Sequence, residues 1–193
     1  METAEQELDN PIKNHLVCYQ QMSVRWRKRE QPISDAQRFR IQNDNVKLME
    51  VLVSSEENME VEQSLDKDAS KELKRLDAKL NLMMSWIGQL LLQQQNLPPL
   101  QAVSLSPKGM QFTCDTQALA ENDNLYMEMF LEPRYPQAFV TFAKVVQVVP
   151  NDKGDEVIAR FQDLNEYNQL WLDKYVFQLH RRQVAARKQH TGK

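Results

Sequence analysis

The chain of 193 residues has little glycine, only four, and lacks features that mark several large classes of protein. No apolar run approaches the length of a membrane span, and the N-terminus, Met1–Glu5, is acidic and has no apolar core of signal-peptide length. We therefore predict a cytoplasmic protein with no membrane partner. Apolar residues make up 41% and charged residues 26%, which is ordinary for a folded domain.

An excess of positive charge is also missing, because the formal net charge is −3. Proteins that coat nucleic acid need a positive surface, so this balance disfavours a nucleic-acid partner. No acid follows Asp173, and the tail is wholly basic, with Arg181, Arg182, Arg187, Lys188 and Lys193. We interpret these cations as a solvated helix end that compensates the helix dipole, in preference to a nucleic-acid or membrane contact.

Residues suited to catalysis or metal binding are scarce. His15, His180 and His190 are scattered without metal-ligand spacing, and sequence order provides no nucleophile and base arrangement or phosphate-cradling glycine loop. Cys18 and Cys114 lack a close metal or redox spacing, which predicts two reduced residues in or near the core. The sequence therefore predicts a protein that is not an enzyme and holds no metal or cofactor.

The first half of the chain shows two kinds of periodicity. Apolar and polar residues alternate within His15–Arg27, which predicts a strand. Ser34–Gln37 forms a Ser-x-x-Gln capping box, so a helix should begin there. A weak apolar seam follows at Phe39, Val46, Met49 and Val53. A second capping box at Ser54–Glu57 and a change of phase predict that a second helix begins near Glu57.

The second helix carries the strongest periodic signal in the chain, a heptad repeat. Its members are Ala69, Leu73, Leu76, Leu80, Met83, Ile87 and Leu90. A helix from Glu57 to Gln94 is roughly 57 Å long at 1.5 Å per residue, so it outreaches a small domain and must bury its seam on another helix. Because β-branched residues are rare at the a positions, we predict self-association into an assembly of more than two helices. The competing arrangement folds the first helix, Phe39–Val53, back onto the second, Leu73–Leu90, within one subunit, and both arrangements can occur together in a larger bundle.

The second half of the chain has the pattern of short strands. Asn96–Pro99 ends the helix. The predicted strands are Leu100–Val103, Met110–Thr113, Leu125–Leu131, Phe139–Val149 and Glu156–Phe161, with a hairpin corner at Asn151–Gly154. Short antiparallel strands at this spacing suggest a small barrel.

A final helix follows the last strand, with Asp163 or Asn165 as its cap. The face predicted to pack on the barrel contains Tyr167, Leu170, Trp171, Lys174, Tyr175, Gln178 and Leu179. The aromatic residues Trp171, Tyr175 and Phe177 are interpreted as core, with a partner surface as the alternative.

This order of elements resembles the PilZ domain, a bacterial six-stranded barrel with a C-terminal helix. The matching segments are Ser106-Pro107-Lys108-Gly109 before an alternating strand, "VVQVV" at 145–149, and "ARFQDLNEYNQLWLDKYVFQLHRRQ" at 159–183. The resemblance covers about Leu97–Gln189, with His15–Lys28 as a first strand. It implies an α+β fold: an N-terminal segment at 1–14, a PilZ-like antiparallel barrel with its helix at 15–30 and 97–193, and a two-helix coiled-coil insertion at 34–95.

PilZ domains typically bind cyclic diguanylate through an Arg-x-x-x-Arg motif before the first strand and an Asp/Asn-x-Ser-x-x-Gly motif. The resemblance implies a degenerate nucleotide surface at Arg25, Arg29, Ser104, Ser106 and Gly109. Ser106 would brace the turn, and Gly109 would supply its backbone angles. Ser104 replaces the Asp or Asn, and one hydroxyl cannot make the two-point contact of those side chains. The arginine pair has the right spacing, but it lies at the end of the predicted first strand, whereas the family's motif lies before that strand.

Two functions are compatible with this resemblance. In the favoured one, a degenerate PilZ protein no longer binds cyclic diguanylate and acts as an oligomeric protein-interaction module in motility, type IV pilus or virulence pathways, with an unidentified protein partner. The resemblance implies that the heptad-bearing insertion is a tetramerisation device, so a homotetramer is favoured. In the alternative, the chain is a cyclic di-GMP receptor that binds the nucleotide at the barrel surface.

Overall fold

The computed structural model describes residues 10–13, 15–61, 67–94, 97–115, 118–132, 135, 137–152 and 154–191. Within these residues the chain forms six strands and three helices. In chain order they are β1 (Cys18–Lys28), α1 (Asp35–Val61), α2 (Lys67–Gln94), β2 (Leu100–Ser106), β3 (Gly109–Cys114), β4 (Asn124–Phe130), β5 (Phe139–Val149), β6 (Asp155–Gln162) and α3 (Glu166–Thr191).

The strands close into an antiparallel barrel in the order β1, β2, β3, β6, β5, β4. The long strand β1 completes the barrel because Cys18–Ser23 pairs with β2 and Ser23–Lys28 pairs with β4. The predicted α+β fold with a six-stranded barrel and a C-terminal helix is confirmed. Gly154, in the hairpin corner before β6, has φ of 117°, which explains why glycine stands there.

Alternation along the strands fills the barrel with apolar side chains. Its fully buried members include Met22, Leu105, Met110, Phe112, Leu125, Met127, Met129 and Phe139. Both cysteines are buried, as predicted. Burial raises the pKa of the Cys18 thiol to about 11. Burial also raises the pKa of Cys114, with a smaller effect from the carboxylates of Asp155 and Asp115, so both cysteines remain thiols at neutral pH.

Helix α1 begins at the predicted capping box. The Gln37 N–H donates to Ser34 Oγ at 3.3 Å, and the Ser34 N–H donates to Gln37 Oε1 at 3.4 Å. Its predicted seam is only partly right, because Met49 and Val53 are buried but Phe39 is 67% exposed. The reason is that α1 packs on α3 and β5 mainly through its middle, where Leu48 and Leu52 also face the core.

The second predicted helix start is wrong. Helix α1 runs through Ser54–Glu57 and ends at Val61, and α2 begins at Lys67 instead of Glu57. Each residue added to an existing helix contributes a backbone hydrogen bond, whereas a cap satisfies only one or two free N–H groups, so a local capping sequence can be overridden. The residues between the helices, 62–66, lie outside the described part of the chain.

Helix α3 begins at one of the two predicted caps, because Asn165 Oδ1 accepts from the Asn168 N–H at 2.8 Å. Its packed face is rotated from the prediction. Trp171 and Leu179 pack against the core, and Tyr175 is buried. Three members of the predicted face, Tyr167, Leu170 and Lys174, are instead exposed. The interpretation of Phe177 as core is also wrong, because its side chain points away from the barrel and is 56% exposed.

The rotation of α3 follows from its position between the barrel and α1. Gln42 of α1 accepts at its carbonyl from Asn168 Nδ2 at 3.1 Å, and Val53 of α1 accepts from Gln178 Nε2 at 3.3 Å. The two helices therefore run in parallel. On its other flank, α3 contacts β1 through hydrogen bonds between Gln183 and the backbone of Tyr19.

Candidate functional site

The β2–β3 corner is organised around the hydroxyl of Ser106, which is fully buried. Ser106 Oγ donates to the carbonyl oxygen of Pro11 at 2.7 Å. It accepts from the backbone N–H groups of Lys108 at 3.2 Å and Gly109 at 3.1 Å. Ser106 therefore braces the turn and also ties it to the segment that precedes β1.

Gly109 occupies this corner for a different reason from the one predicted. Its φ does not lie in the left-handed region, so the turn does not require the conformational freedom of glycine. A Cβ atom here would lie 2.3 Å from the Ala159 carbonyl oxygen and 2.7 Å from Cγ of Pro11. Glycine is needed because β6 and the N-terminal segment both approach the backbone too closely for any side chain.

The chain's own residues cover the corner. Asn10 and Pro11 are buried, and Asn10 Oδ1 accepts from the N–H groups of Ile12 at 2.9 Å and Lys13 at 3.3 Å, which fixes the local turn. On the other side, Gln169 of α3 donates to the Pro107 carbonyl oxygen at 3.0 Å. The hydrogen-bonding groups of the turn are therefore largely used within the molecule.

Ser104 lies two residues before the buried corner, on the outer face of the barrel between Tyr19 of β1 and Gln111 of β3. It lines a surface groove of about 510 Å³. The other lining residues are Tyr19, Gln20, Gln21, Ala102, Val103, Gln111, Phe112, Thr113 and Glu156. The Glu156 carboxylate accepts from Gln111 Nε2 at 3.1 Å, and none of the lining residues is a lysine or arginine. An anionic ligand in this groove would meet a carboxylate and no cation.

The structure does not bring the predicted arginine pair to this groove. Ser104 pairs with Tyr19, so Arg25 lies six residues farther along β1, about 20 Å away at the rise of a strand, and Arg29 follows the end of β1, farther still along the chain. Arg25 is ion-paired with Glu128 of β4 at 2.9 Å. The guanidinium of Arg29 lies 5.0 Å from the centroid of the Phe142 ring.

The heptad of α2 forms one exposed stripe. Leu73, Leu76, Leu80, Met83, Ile87 and Leu90 are between 46% and 61% exposed. The side chain of Ala69, the first member of the predicted seam, lies outside the described residues. Among the described elements, α1 packs on α3 and β5, and α2 has no substantial packing partner. The competing arrangement, in which the first helix folds back onto the second within one subunit, is therefore not seen among the described elements.

Sequence reasoning missed a wider apolar surface at the C-terminal half of α2. Leu82, Met84 and Trp86 are also exposed, by 50%, 37% and 58%. They occupy heptad positions outside the a and d rows. The signal was present in the sequence as the run from Leu80 to Ile87, in which six of eight residues are apolar. Apolar residues beyond the a and d rows widen the surface that an assembly can bury.

Across the described part of the chain, no cluster of three or more His, Cys, Asp or Glu side chains is placed to hold a metal ion. In the same residues, each helix is too short or too polar to cross a membrane.

The model of a family described as "Atypical PilZ domain, cyclic di-GMP receptor" matches residues 48–189. The match begins inside α1, so it includes the C-terminal half of α1, all of α2, β2–β6 and most of α3, and it omits β1. A comparison with curated protein sequences gave no match.

A solved structure from Xanthomonas campestris is similar over nearly the whole chain. The TM-score is 0.70 at 22% identity, and the alignment covers 94% of this chain and 97% of the other. That protein is described as a pathogenic protein with "a new tetrameric PilZ domain self-assembled via a unusual helical bundle". At this identity the likeness establishes the fold.

Proposed function

The chain belongs to the atypical PilZ domain family, and from that premise we propose that it is a non-catalytic regulatory protein that self-associates through α2 and no longer binds cyclic diguanylate. The observation that carries this proposal is the exposed heptad stripe of α2. As the family resemblance implies, we place the protein in the cytoplasm and in a motility, type IV pilus or virulence pathway.

Self-association is supported by the physical chemistry of the stripe. Six large apolar side chains recur along a 28-residue helix and face solvent in the isolated chain. Soluble proteins rarely leave so large a contiguous apolar surface uncovered. Knobs-into-holes packing of α2 against copies of itself would cover it, and the added apolar residues near Trp86 favour more than two helices. The helical-bundle tetramer of the Xanthomonas protein supports a homotetramer here.

Loss of nucleotide binding is supported by three features of the barrel. Pro11 covers the corner at Gly109, the groove beside Ser104 contains the Glu156 carboxylate, and Arg25 is directed to Glu128. Each missing charge-assisted hydrogen bond removes about 1.5 to 3 kcal/mol. The loss of several such bonds is enough to abolish micromolar binding, which corresponds to about 8 kcal/mol.

A second candidate function is a cyclic di-GMP receptor. The description of the matching family as a cyclic di-GMP receptor favours it, as does the presence of Ser106 and Gly109 at the family's positions. In this alternative the nucleotide would have to displace the segment at Asn10–Lys13 from the corner. Calorimetric titration with cyclic diguanylate separates the two candidates, because only a receptor would give saturable heat.

The assembly is tested by replacing Leu76 and Leu80 with Asp in one variant and measuring mass by light scattering. We expect the wild-type chain to have the mass of a tetramer and the variant that of a monomer, because four or more buried carboxylates cannot be accommodated in an apolar seam. Ala78→Asp is the matched control, since Ala78 is also exposed on α2 but lies at the f position, on the side of the helix away from the seam. An unchanged mass in the double variant would refute assembly through α2.

A further inference from the structure

The outward surface of α3 carries two rows of residues seven positions apart. Leu170, Phe177 and Val184 form an apolar row and are 52%, 56% and 37% exposed. Beside it, Tyr167, Lys174, Arg181 and Lys188 form a second row, in which three of the four residues are cations. Seven residues are almost two turns of helix, so each row runs nearly straight along α3.

This surface is held on a rigid support. The opposite face of α3 is buried through Leu172 and Val176, and the Tyr175 hydroxyl donates to the Leu131 carbonyl oxygen at 3.0 Å. Burial raises the pKa of Tyr175, so that hydroxyl remains a donor at all ordinary pH values. The two rows are therefore part of a packed helix, and their relative positions are fixed before any partner binds.

The cationic row is not neutralised by the described part of the chain. The Lys174 ammonium lies 4.6 Å from the centroid of the Trp171 ring. Because the ring is neutral, this contact does not cancel the positive charge of Lys174. Arg181 and Lys188 form no ion pair with any side chain that the structure describes. Because no acid follows Asp173, this end of α3 stays positive although the whole chain is negative.

We propose that these two rows are a docking surface for an acidic amphipathic helix of a partner protein. Apolar side chains of that helix would cover Leu170, Phe177 and Val184, and its carboxylates would pair with the cationic row. Both rows repeat every seven residues, which matches a helix that lies along α3. The positive charge of the cationic row favours an acidic helix. This inference rests on the proposed role as an interaction protein, but it requires neither assembly through α2 nor loss of nucleotide binding.

A membrane surface fits these residues less well than a helix. The apolar row presents only three side chains, whereas membrane-bound helices bury a broad apolar face. Asp173 is exposed three residues after Leu170, so an acid lies on the flank that would face anionic lipid. A partner helix can avoid Asp173 because it would contact only the apolar row and the cationic row of α3.

The test uses two fluorescent synthetic peptides of about three heptads, each with Leu at a and d; one has Glu at e and g and the other Lys. We expect the full-length chain to bind the Glu peptide in an anisotropy titration, with weaker binding at high salt. Phe177→Asp should weaken that binding about thirtyfold, as removal of an aromatic anchor does. Leu100→Asp, at a site on β2 that is 62% exposed, is the control and should leave it unchanged.

A charge swap tests the cationic row directly. The variant with Lys174→Glu, Arg181→Glu and Lys188→Glu should lose the Glu peptide and gain the Lys peptide. The variant with Leu76→Asp and Leu80→Asp should still bind the Glu peptide, which separates this surface from the α2 seam. Equal binding of both peptides by the wild type, or loss of Glu-peptide binding in that α2 variant, would overturn the proposal.

Two alternative occupants give their own results. If the wild type binds anionic phosphatidylserine vesicles and Phe177→Asp abolishes this, the surface belongs to a membrane and the proposal is wrong. If Phe177→Asp lowers the mass measured by light scattering, a second copy of this chain covers the surface, and the proposal is again wrong. We expect neither vesicle binding nor a change in mass.

Discussion

The β2–β3 corner and helix α2 differ in how much of their surface is covered by other parts of the same chain. At the corner, Ser106 and Gly109 match the family's nucleotide motif, yet Pro11 and β6 fill the space around them. Along α2, the apolar residues from Leu73 to Leu90 have no partner of comparable extent among the described elements. Residues that match a family's binding motif can therefore serve only to hold a turn. The surface that needs a partner lies instead on α2, which has no recognised binding motif.

Gly109→Ala should give the largest effect at the corner. Its Cβ would lie 2.3 Å from a backbone oxygen of β6, so a strand or the N-terminal segment must move. We expect a loss of about 3 kcal/mol in the free energy of unfolding. Thermal melts at fixed protein concentration should show a midpoint lower by about 6 to 12 °C.

A glycine-to-alanine substitution in α2 should have the opposite effect from the one at the corner. Gly88 lies within the helix, where alanine is favoured over glycine by up to about 1 kcal/mol. Gly88→Ala should therefore raise the melting midpoint or leave it unchanged. If Gly109→Ala were equally well tolerated, the corner would not be closed in the way described.

Replacing Ser106 in the corner and Ser104 just before it should have unequal effects on the free energy of unfolding. Ser106→Ala leaves the Pro11 carbonyl and the N–H groups of Lys108 and Gly109 without their buried partner, at a cost of about 2 kcal/mol. Ser104→Ala, on the outer face, should change the free energy of unfolding by less than about 0.5 kcal/mol. Urea denaturation of the two variants measures both quantities. Equal losses would mean that Ser106 is not the brace.

Arg25→Gln should have the smallest effect. Arg25 and Glu128 form a 2.9 Å ion pair, but their side chains remain 45% and 23% exposed, so solvent screens the interaction. Pairs of this kind contribute about 0 to 1 kcal/mol, and added salt should reduce that further. Denaturation at low and high salt checks the prediction. A loss well above 1 kcal/mol would show that Arg25 has a larger role on the barrel wall.

The sequence alone predicted much of the architecture. Alternation in β5 and the glycine turn before β6 depend on neighbours in the chain, so local patterns were sufficient there. The Ser54–Glu57 capping box was overridden because the sequence cannot show how far an existing helix propagates. Phe39 was misplaced because a heptad-like spacing does not reveal where a helix leaves the core.

The site was harder to predict than the fold because its contacts join distant segments. The hydrogen bond from Ser106 to Pro11 and the approach of Ala159 to Gly109 span 95 and 50 positions of the sequence. The seam residues of α2 were visible in advance because a heptad is a local pattern. Their exposure was not, since it depends on what the rest of the chain leaves uncovered.

Calorimetric titration of the full chain with cyclic diguanylate tests the contrast between corner and helix most directly. The account predicts no saturable heat at nucleotide concentrations up to roughly 50 µM, because the corner is filled and its groove has no cation. The variant with Leu76→Asp and Leu80→Asp should behave in the same way, which shows that assembly does not conceal a site. A saturable isotherm in the wild type, lost in a Ser104→Ala variant, would contradict the account.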